Sequence, residues 1–584
     1  MSGLQMRITG LKMITAVFIL MQLGWSHIQA QTFTKITAGP LVNTPGDSRS
    51  VNWVDINKDG FVDIFISNGP SGGQNNMLYI NNGIGGFVSV TNDTIVKDFQ
   101  PSDGATWADC DNDGDIDCYV VNWYNTTNMF YSNDGTGSFT KLAGTVNTSG
   151  GFCETASWGD YDMDGLLDLY VTNSAGVNKN LLFHNDGGNV FTKITLGTMV
   201  NDISNSRSVN WTDIDSDGDL DLFVSNEGGQ NEEMYRNDGG GVFTKQTNGP
   251  LVNDFGNTMS SSWADYDNDG DLDVFLANDA GNNALFRNDG AFVFTKIIAD
   301  TVSNSNANSF SSSWSDIDND GDVDLFVTNS FVTATLQLNF LYLNNGNGSF
   351  TRVNNTAPAT DLDWSYGCAF GDYDNDGFED LAVATCRFNG TDRPDLLYHN
   401  DGNSNCWITI QLVGMTTNKS AIGTKVRVKA MINGSPVWQM REISAQTSYN
   451  GENDLRAHFG LGNATIVDTI NVEWLGGATE SFANVSCGQF ITIMQGQGIS
   501  GIKKNEIDNA ITVFPNPAQD ILEISFNPGM ESLNCTYEIT TANGLLISSG
   551  ILKGNSIDIR QLPAGSYFIK LKSGKKNVSK QFIR

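Results

Sequence analysis

Positive charge is scarce in this chain of 584 residues: 33 Lys and Arg face 66 Asp and Glu, a formal net charge of -33. Such an excess repels phosphate backbones and anionic lipid surfaces, which sets nucleic acid aside as a partner. Histidine is scarcer still, and beyond the first thirty positions only His184, His399 and His458 remain. None stands in an H-E-x-x-H or comparable zinc spacing, and no G-x-S-x-G elbow or phosphate-binding glycine loop occurs. The chain is therefore expected not to be an enzyme. Long apolar runs are missing too. The run over residues 13–25 is about a dozen residues, short of the roughly twenty that span a bilayer. It follows Arg7 and Lys12 and precedes Ile28-Gln29-Ala30, which reads as a secretory signal over residues 1–30. The mature chain would start at Gln31 with no transmembrane segment. Only 17% of residues are charged, whereas Gly numbers 62 and aromatics reach 10%, which suits a turn-rich β protein of two to four domains.

What is present is a repeat. WVDINKDGFVD from Trp53 returns as WADCDNDGDID from Trp107, WGDYDMDGLLD from Trp158, WTDIDSDGDLD from Trp211, WADYDNDGDLD from Trp263, WSDIDNDGDVD from Trp314 and FGDYDNDGFED from Phe370. The first aspartates are Asp55, Asp109, Asp160, Asp213, Asp265, Asp316 and Asp372, each 51 to 56 residues after the last. In each unit a strand ends at the aromatic, the acidic loop turns the chain, and an apolar strand such as DLFVSN follows. A third strand reaches an Asn-Gly or Asp-Gly turn and a fourth, of the FTKI type, closes the unit. Four antiparallel strands per repeat of about 50 residues is the blade pattern of a β-propeller, so residues 31–402 are expected to form seven four-stranded blades. The seventh repeat runs into unrelated sequence after Asp401 and Gly402. An isolated strand at Phe33–Ile36 is placed to complete it and hide both sheet edges.

Loop positions 1, 3, 5 and 9 are acidic or Asn in every copy. They are Asp55, Asn57, Asp59 and Asp63; Asp109, Asp111, Asp113 and Asp117; Asp160, Asp162, Asp164 and Asp168; Asp213, Asp215, Asp217 and Asp221; Asp265, Asp267, Asp269 and Asp273; Asp316, Asp318, Asp320 and Asp324; and Asp372, Asp374, Asp376 and Asp380. Closely spaced carboxylates plus the carbonyl of position 7 supply the six to eight oxygens a hard cation such as Ca²⁺ takes, so up to seven calcium ions are expected. Position 6 is always Gly, as a tight wrap requires. An EF-hand would need Glu at position 12, where this chain has Ile66, Val120, Val171, Val224, Leu276, Val327 and Val383. Positions 1, 3, 5 and 9 of the loops hold 27 of the 66 acidic side chains, so little acidity is left to steer a partner. Cys110 and Cys118, like Cys368 and Cys386, lie symmetrically about a loop glycine and are expected to form two intra-blade disulfides.

These seven loops resemble FG-GAP or VCBS repeats, similar to those of integrin α-subunits, and the resemblance implies calcium ligation by the residues named. The first loop departs by Asn57 and the last lacks the Trp. Over residues 403–495, GTKVRVKA, REISAQTSYNGEND, AHFGLG and VEWLGG resemble the ASPIC/UnbV domain of cartilage-acidic-protein-like chains, a small β-rich module. Cys406 and Cys487, near its first and last strands, form a candidate pair. Residues 496–510 read as a linker. From residue 511, VFPNPAQDILEISF and LPAGSYFIKLKSGKK resemble the C-terminal sorting domain of type IX secretion, a β-sandwich. That implies export through this machinery to the medium or outer surface of a Gram-negative bacterium. The loops opposite the acidic face carry Trp123, Tyr124, Phe331, Arg387 and Phe388, candidates for binding an extracellular protein or glycan. An adhesion scaffold is the first expectation; a glycan lectin and a polysaccharide-active enzyme are the alternatives.

Overall fold

The computed structural model describes residues 32–147, 150–175, 179–332, 334–501, 511–514, 518–526, 536–541, 546–552, 554–563, 565–573 and 576–584. The signal reading, most of the linker and Cys535 lie outside them. The chain is almost entirely β. In the second repeat Ser102–Ala108, Asp117–Asn122, Met129–Asn133 and Phe139–Leu142 pair antiparallel in chain order. The same pattern recurs in every repeat, giving seven sheets built on this plan. The seventh takes three strands from its own repeat and its fourth from Phe33–Lys35, paired Phe33 to Asn400. The first strand of each sheet packs on the first strands of its neighbours, and Val51–Val54 meets both Ser102–Ala108 and Ser365–Gly371. The array is therefore a closed ring.

Apolar alternation on both faces of each sheet fills the space between blades. At the seam, Trp53 and Tyr79 of blade one pack with Ala369, Tyr373 and Leu397 of blade seven. Trp53, Trp107, Trp158 and Trp211 are fully buried. At roughly 200 Å² each and about 25 cal/mol/Å², every such indole contributes on the order of 5 kcal/mol before entropy is charged.

After the ring, Cys406–Val413, Ala457–Gly462, Gln489–Met494 and Gly498–Gly501 form one sheet. Lys425–Ile432, Ser435–Glu442, Ile466–Glu473 and Thr479–Ser486 form a second. The stretch read as a linker thus begins with a strand, Gly498–Gly501, paired to Gln489–Met494. One continuous apolar core runs from Trp158 and Phe183 of blade three into Ile410, Val428 and Phe459 of this module. Residues 511–584 form two further sheets around their own core of Leu522, Ile524, Ile539, Ile557 and Ile569.

Of the three candidate cysteine pairs, one is bonded. Cys406 and Cys487 are bonded, with Cα atoms 5.9 Å apart, while Cys110, Cys118, Cys368 and Cys386 are buried free thiols, as is Cys153. The hairpins do not fold about the loop glycine. Their ladders pair Trp107 with Cys118 and Cys368 with Val383, so each proposed partner is three residues out of register. The Cys110 thiol instead bonds Asp117 Oδ2 at 3.0 Å.

Candidate metal centres and the two faces of the ring

Each acidic loop is wound by its own carboxylates. In the first, Asp55 accepts the amides of Asp59 (3.1 Å) and Gly60 (3.0 Å), and Asp59 accepts that of Phe61 (3.0 Å). The position-5 to position-7 bond recurs in all seven loops at 2.8–3.1 Å. Position 6 has φ between 88° and 106°, which is why only Gly serves. Position 4 is left-handed too, and Asn fills it in four loops, as Asn112, Asn268, Asn319 and Asn375.

The position-9 aspartates anchor the blade. Asp63 Oδ1 accepts the Asn81 amide at 2.7 Å and its Oδ2 the Ile56 amide at 3.2 Å. Position 3 is different: Asp162, Asp215, Asp267, Asp318 and Asp374 each keep one buried oxygen with no donor, as do Asp109 and Asp265 at position 1. Carboxylate oxygens of Asp109, Asp111 and Asp113, and of Asp160, Asp162 and Asp164, lie within 4.8 Å of one another. Burial first, then mutual repulsion, pushes Asp109 and Asp265 up to about 7, Asp63 to about 8 and Asp273 to about 9. Converging, donorless, desolvated carboxylates fit a hard divalent cation, which would hold them ionised.

The structure adds residues the motif does not contain. The asparagine ending each third strand donates its side-chain amide to the position-2 carbonyl of the preceding blade's loop. Asn81 reaches Tyr373 O (2.7 Å), Asn133 Ile56 O (2.9 Å), Asn185 Cys110 O (2.8 Å) and Asn237 Tyr161 O (2.8 Å). Asn288, Asn344 and Asn400 complete the circuit. Position-4 Asn cross-links loops as well: Asn112 to Gly165 O, Asn319 to Gly377 O and Asn375 to Gly60 O, all 2.9 Å. The position-4 set was signalled by its fixed place in the loop, and the strand-ending set by an asparagine closing the third strand of every repeat. His184 and His399, given no role by spacing, stand beside loops three and seven, 3.0 and 3.1 Å from Asp168 and Asp380. The carboxylate of Asp380 raises His399 to about 9.

The 403–501 module is seated on the acidic loops. Ser420 Oγ accepts the Asp109 amide (2.9 Å), Lys425 Nζ meets Asp213 Oδ2 (2.9 Å), and Arg427 bonds Gly270 O (3.2 Å). The Gly460 amide bonds Asp316 Oδ2 (3.1 Å) and the Trp407 ring covers Gly377, where an added Cβ would stand 1.7 Å from it. The glycine of AHFGLG is likewise dictated by contact, since a Cβ on Gly460 would come 2.2 Å from Asp316 Oδ2. His458 is buried with its Nε2 2.6 Å from Asn319 Oδ1, and burial and two nearby arginines lower it to about 3.

From this module the AQTSYNGEND segment enters the middle of the ring. Gly451–Glu452 pairs in parallel with Val51 and Asn52. Glu452 Oε2 accepts the Trp107 amide (3.0 Å), Asn450 Oδ1 the Thr155 hydroxyl (2.7 Å), and Asn453 Oδ1 the Phe370 amide (2.8 Å). At the tip, Tyr449 donates to Glu154 Oε2 (2.8 Å) and accepts from Arg207 (3.3 Å). Arg49, Asp103, Glu154, Arg207, Met259, Phe310 and Tyr366 hold matching positions in the seven first strands around it. The channel is plugged.

Among the described residues no backbone hydrogen bond joins the module to the loops of the opposite face. Fifteen residues after the first loop aspartate comes a turn position with φ of 53° to 75°, filled by Ala175, Gly228 and Ala280 but also by Tyr124 and Phe331. Ten residues before that aspartate, Phe99 and Phe255 have φ of 49° and 54°. These four aromatics are 36% to 66% exposed. Ile203 and Leu362, at the same offset as Phe99, are exposed as well. Of the other residues singled out, Trp123 is half-buried with its Nε1 on Glu154 (2.7 Å), Arg387 pairs with Asp392 (2.6 Å), and Phe388 packs edge-on against Trp364.

Comparison with known proteins agrees with this geometry. The family model described as FG-GAP-like repeat matches residues 55–120, 109–171, 160–224, 213–276, 265–327 and 329–383, its first five matches each starting at the first loop aspartate. ASPIC and UnbV matches 414–500, and the secretion system C-terminal sorting domain matches 512–584. No curated protein matches the chain. Among solved structures, the extracellular domain of a putative hybrid two component system from B. thetaiotaomicron is similar at 12% identity and TM-score 0.41, covering 94% of this chain and 57% of its own. A protein from Lactobacillus plantarum is similar at 13% identity and TM-score 0.36, covering 56% of this chain and 96% of its own.

Proposed function

Since this chain belongs to the FG-GAP-like repeat family, we propose that it is an extracellular scaffold that holds calcium in its acidic loops and binds a protein or glycan through the opposite face. Its sorting domain marks it as a secreted or cell-surface protein. The observation that carries the binding role is the set of exposed aromatics in left-handed backbone. A bulky side chain at φ near +50° costs on the order of 1 kcal/mol where glycine costs nothing, and such residues persist where they serve a purpose. Phe99, Tyr124, Phe255 and Phe331 all stand on the one face that neither the module nor the acidic loops occupy.

Calcium, when bound, supplies charge neutralisation that fixes the loops. Position 1 winds each loop around its amides, position 9 ties it to the third strand, and the asparagine clamps relay that order to the next blade. We read the chain as non-enzymatic, because carboxylates that anchor amides and are kept ionised by a cation do not shuttle protons. The test is a printed array of extracellular glycans and matrix proteins, probed with the whole chain and with a variant carrying F99G, Y124G, F255G and F331G. Glycine suits these backbones, but Phe331 packs on Phe310 and Trp364 and Tyr124 on Trp123, so the melting temperature of the variant is measured alongside. A ligand retained by the native chain and lost by the variant is expected; equal retention by both would overturn the assignment of this face.

A further inference from the structure

Two of the seven acidic loops have an imidazole at hand. The residue just before the clamp asparagine is Ile80, Ser132, His184, Arg236, Arg287, Leu343 and His399 in blade order. Arg236 and Arg287 are tied to the exposed Asp238 and Asp289, each at 2.8 Å. The histidines instead turn onto the position-9 carboxylate, with His184 Nδ1 3.0 Å from Asp168 Oδ1 and His399 Nδ1 3.1 Å from Asp380 Oδ1. Anchoring the blade does not require that contact, because in the other five the same carboxylate is held by the clamp asparagine's backbone amide at 2.7–2.9 Å. Position 3 completes a group around each ring. Ligand atoms of Asp162, Asp168 and His184 lie within 4.8 Å of one another, as do those of Asp374, Asp376 and His399. Asp374 Oδ2 is 3.7 Å from His399 Nδ1, and Asp162 and Asp374 each keep a buried oxygen with no donor. Two ligands about 2.1 Å from one zinc-sized ion stand roughly 3.0–3.5 Å apart, close to the separations in both groups. Behind the first group, His184 Nε2 faces Asp186 Oδ1 at 3.9 Å, the side from which a carboxylate orients a ligating imidazole.

We propose that loops three and seven bind a borderline divalent ion of the zinc class, held by His184 with Asp162 and Asp168 and by His399 with Asp374 and Asp380, while the loops without an imidazole take calcium. The proposal rests on reading the acidic loops as cation sites and divides them into two classes. Calcium takes oxygen ligands at flexible geometry, whereas imidazole beside carboxylate suits zinc and the ions near it. The ion would take the place of the hydrogen that Nδ1 shares with the position-9 carboxylate.

The experiment strips the untagged full chain with chelator, dialyses it against millimolar calcium with micromolar zinc, and counts both metals by elemental analysis. About two zinc ions per chain are expected, falling to about one in H184Q or H399Q and to none in the double variant, with calcium in the remaining loops retained. H184R and H399R install the residue that blades four and five carry at this position. They should lose zinc in the same way while melting near the native temperature in calcium, which separates loss of a ligand from loss of the fold. A calcium-loaded chain that takes no zinc, or whose zinc is indifferent to both histidines, overturns this proposal alone. Histidine-dependent zinc on a chain that takes no calcium supports the two histidine sites and overturns the calcium reading, and a chain that takes neither metal overturns both.

Discussion

Tyr449 offers the sharpest test of whether ring and plug are one folding unit. Its ring is wholly buried at the middle of the seven first strands, 5.5 Å from that of Tyr366. In Y449F the hydroxyl between Glu154 and Arg207 is lost. A hydrogen bond to a charged group contributes about 1.5–3 kcal/mol, and Glu154 keeps Arg207 at 2.8 Å and Trp123 at 2.7 Å, so the cost should be about 2 kcal/mol. Y449A adds the cavity of a deleted aromatic, about 3–5 kcal/mol, for a total near 6 kcal/mol. If residues 32–501 melt together, an unfolding entropy of about 2.1 cal/mol/K per residue gives about 1 kcal/mol per degree. The expected losses are then about 2 °C for Y449F and about 6 °C for Y449A, read by scanning calorimetry in excess calcium as one transition moving down. Y449A melting within a degree of the native chain, or moving only a minor transition, would refute the plug as a shared element of the core.

Three more outcomes follow from the geometry. Without metal, burial lifts Asp63 and Asp168 to about 8 and Asp221 and Asp273 to about 9, so between pH 4 and 9 the folded chain binds more protons than the unfolded one, and in chelator its melting temperature should fall as pH rises. Millimolar calcium should abolish that decline, and a rise with pH in chelator would contradict the burial of these groups. N237A removes bonds to Tyr161 O (2.8 Å) and Leu220 O (3.2 Å) and strands both carbonyls, which should cost about 3 kcal/mol in urea titration; a cost under 1 kcal/mol would mean the blades do not lean on this clamp. The Cys406–Cys487 bond, its ends 81 positions apart, should contribute about 4 kcal/mol, and mapping without reductant should find that bridge while Cys110, Cys118, Cys153, Cys368 and Cys386 alkylate once unfolded.

The ring was legible because its signals are periodic. Acidic positions recur at fixed spacing, strands alternate in a constant order, and the stray FTK strand at Phe33–Lys35 had no other sheet to join. The cysteine pairing was not legible, because it assumed a hairpin symmetric about the loop glycine. The nine-residue loop is lopsided about that glycine, and the ladder that places Trp107 opposite Cys118 is set by strands on either side of it. The clamp asparagines were visible in the INN, SND and RND endings but read as turn residues, since a sequence does not say which blade an amide will reach. The plug was hidden for a deeper reason. Ser448, Tyr449, Asn450 and Glu452 are polar yet fully buried. They look like a surface loop until the first strands of blades two, three, four, six and seven supply the donors and acceptors that make their burial tolerable.

These placements bear on what the acidic loops are for. In an isolated ring they would face solvent and order only the blades they belong to and those their asparagine clamps reach. Here Asp213 is bound by Lys425 of the module, Asp316 by the Gly460 amide, and the Asp109 amide by Ser420, so the loops that order the blades also form the floor on which the module rests. The module in turn sends Gly451–Glu452 through the ring to pair with the first blade, beside the seam where blade seven closes. Loop order, module seating and ring closure are thus links in one chain of contacts. Loss of calcium should loosen all three together, whereas the aromatics of the opposite face, held by their own turns, should respond last.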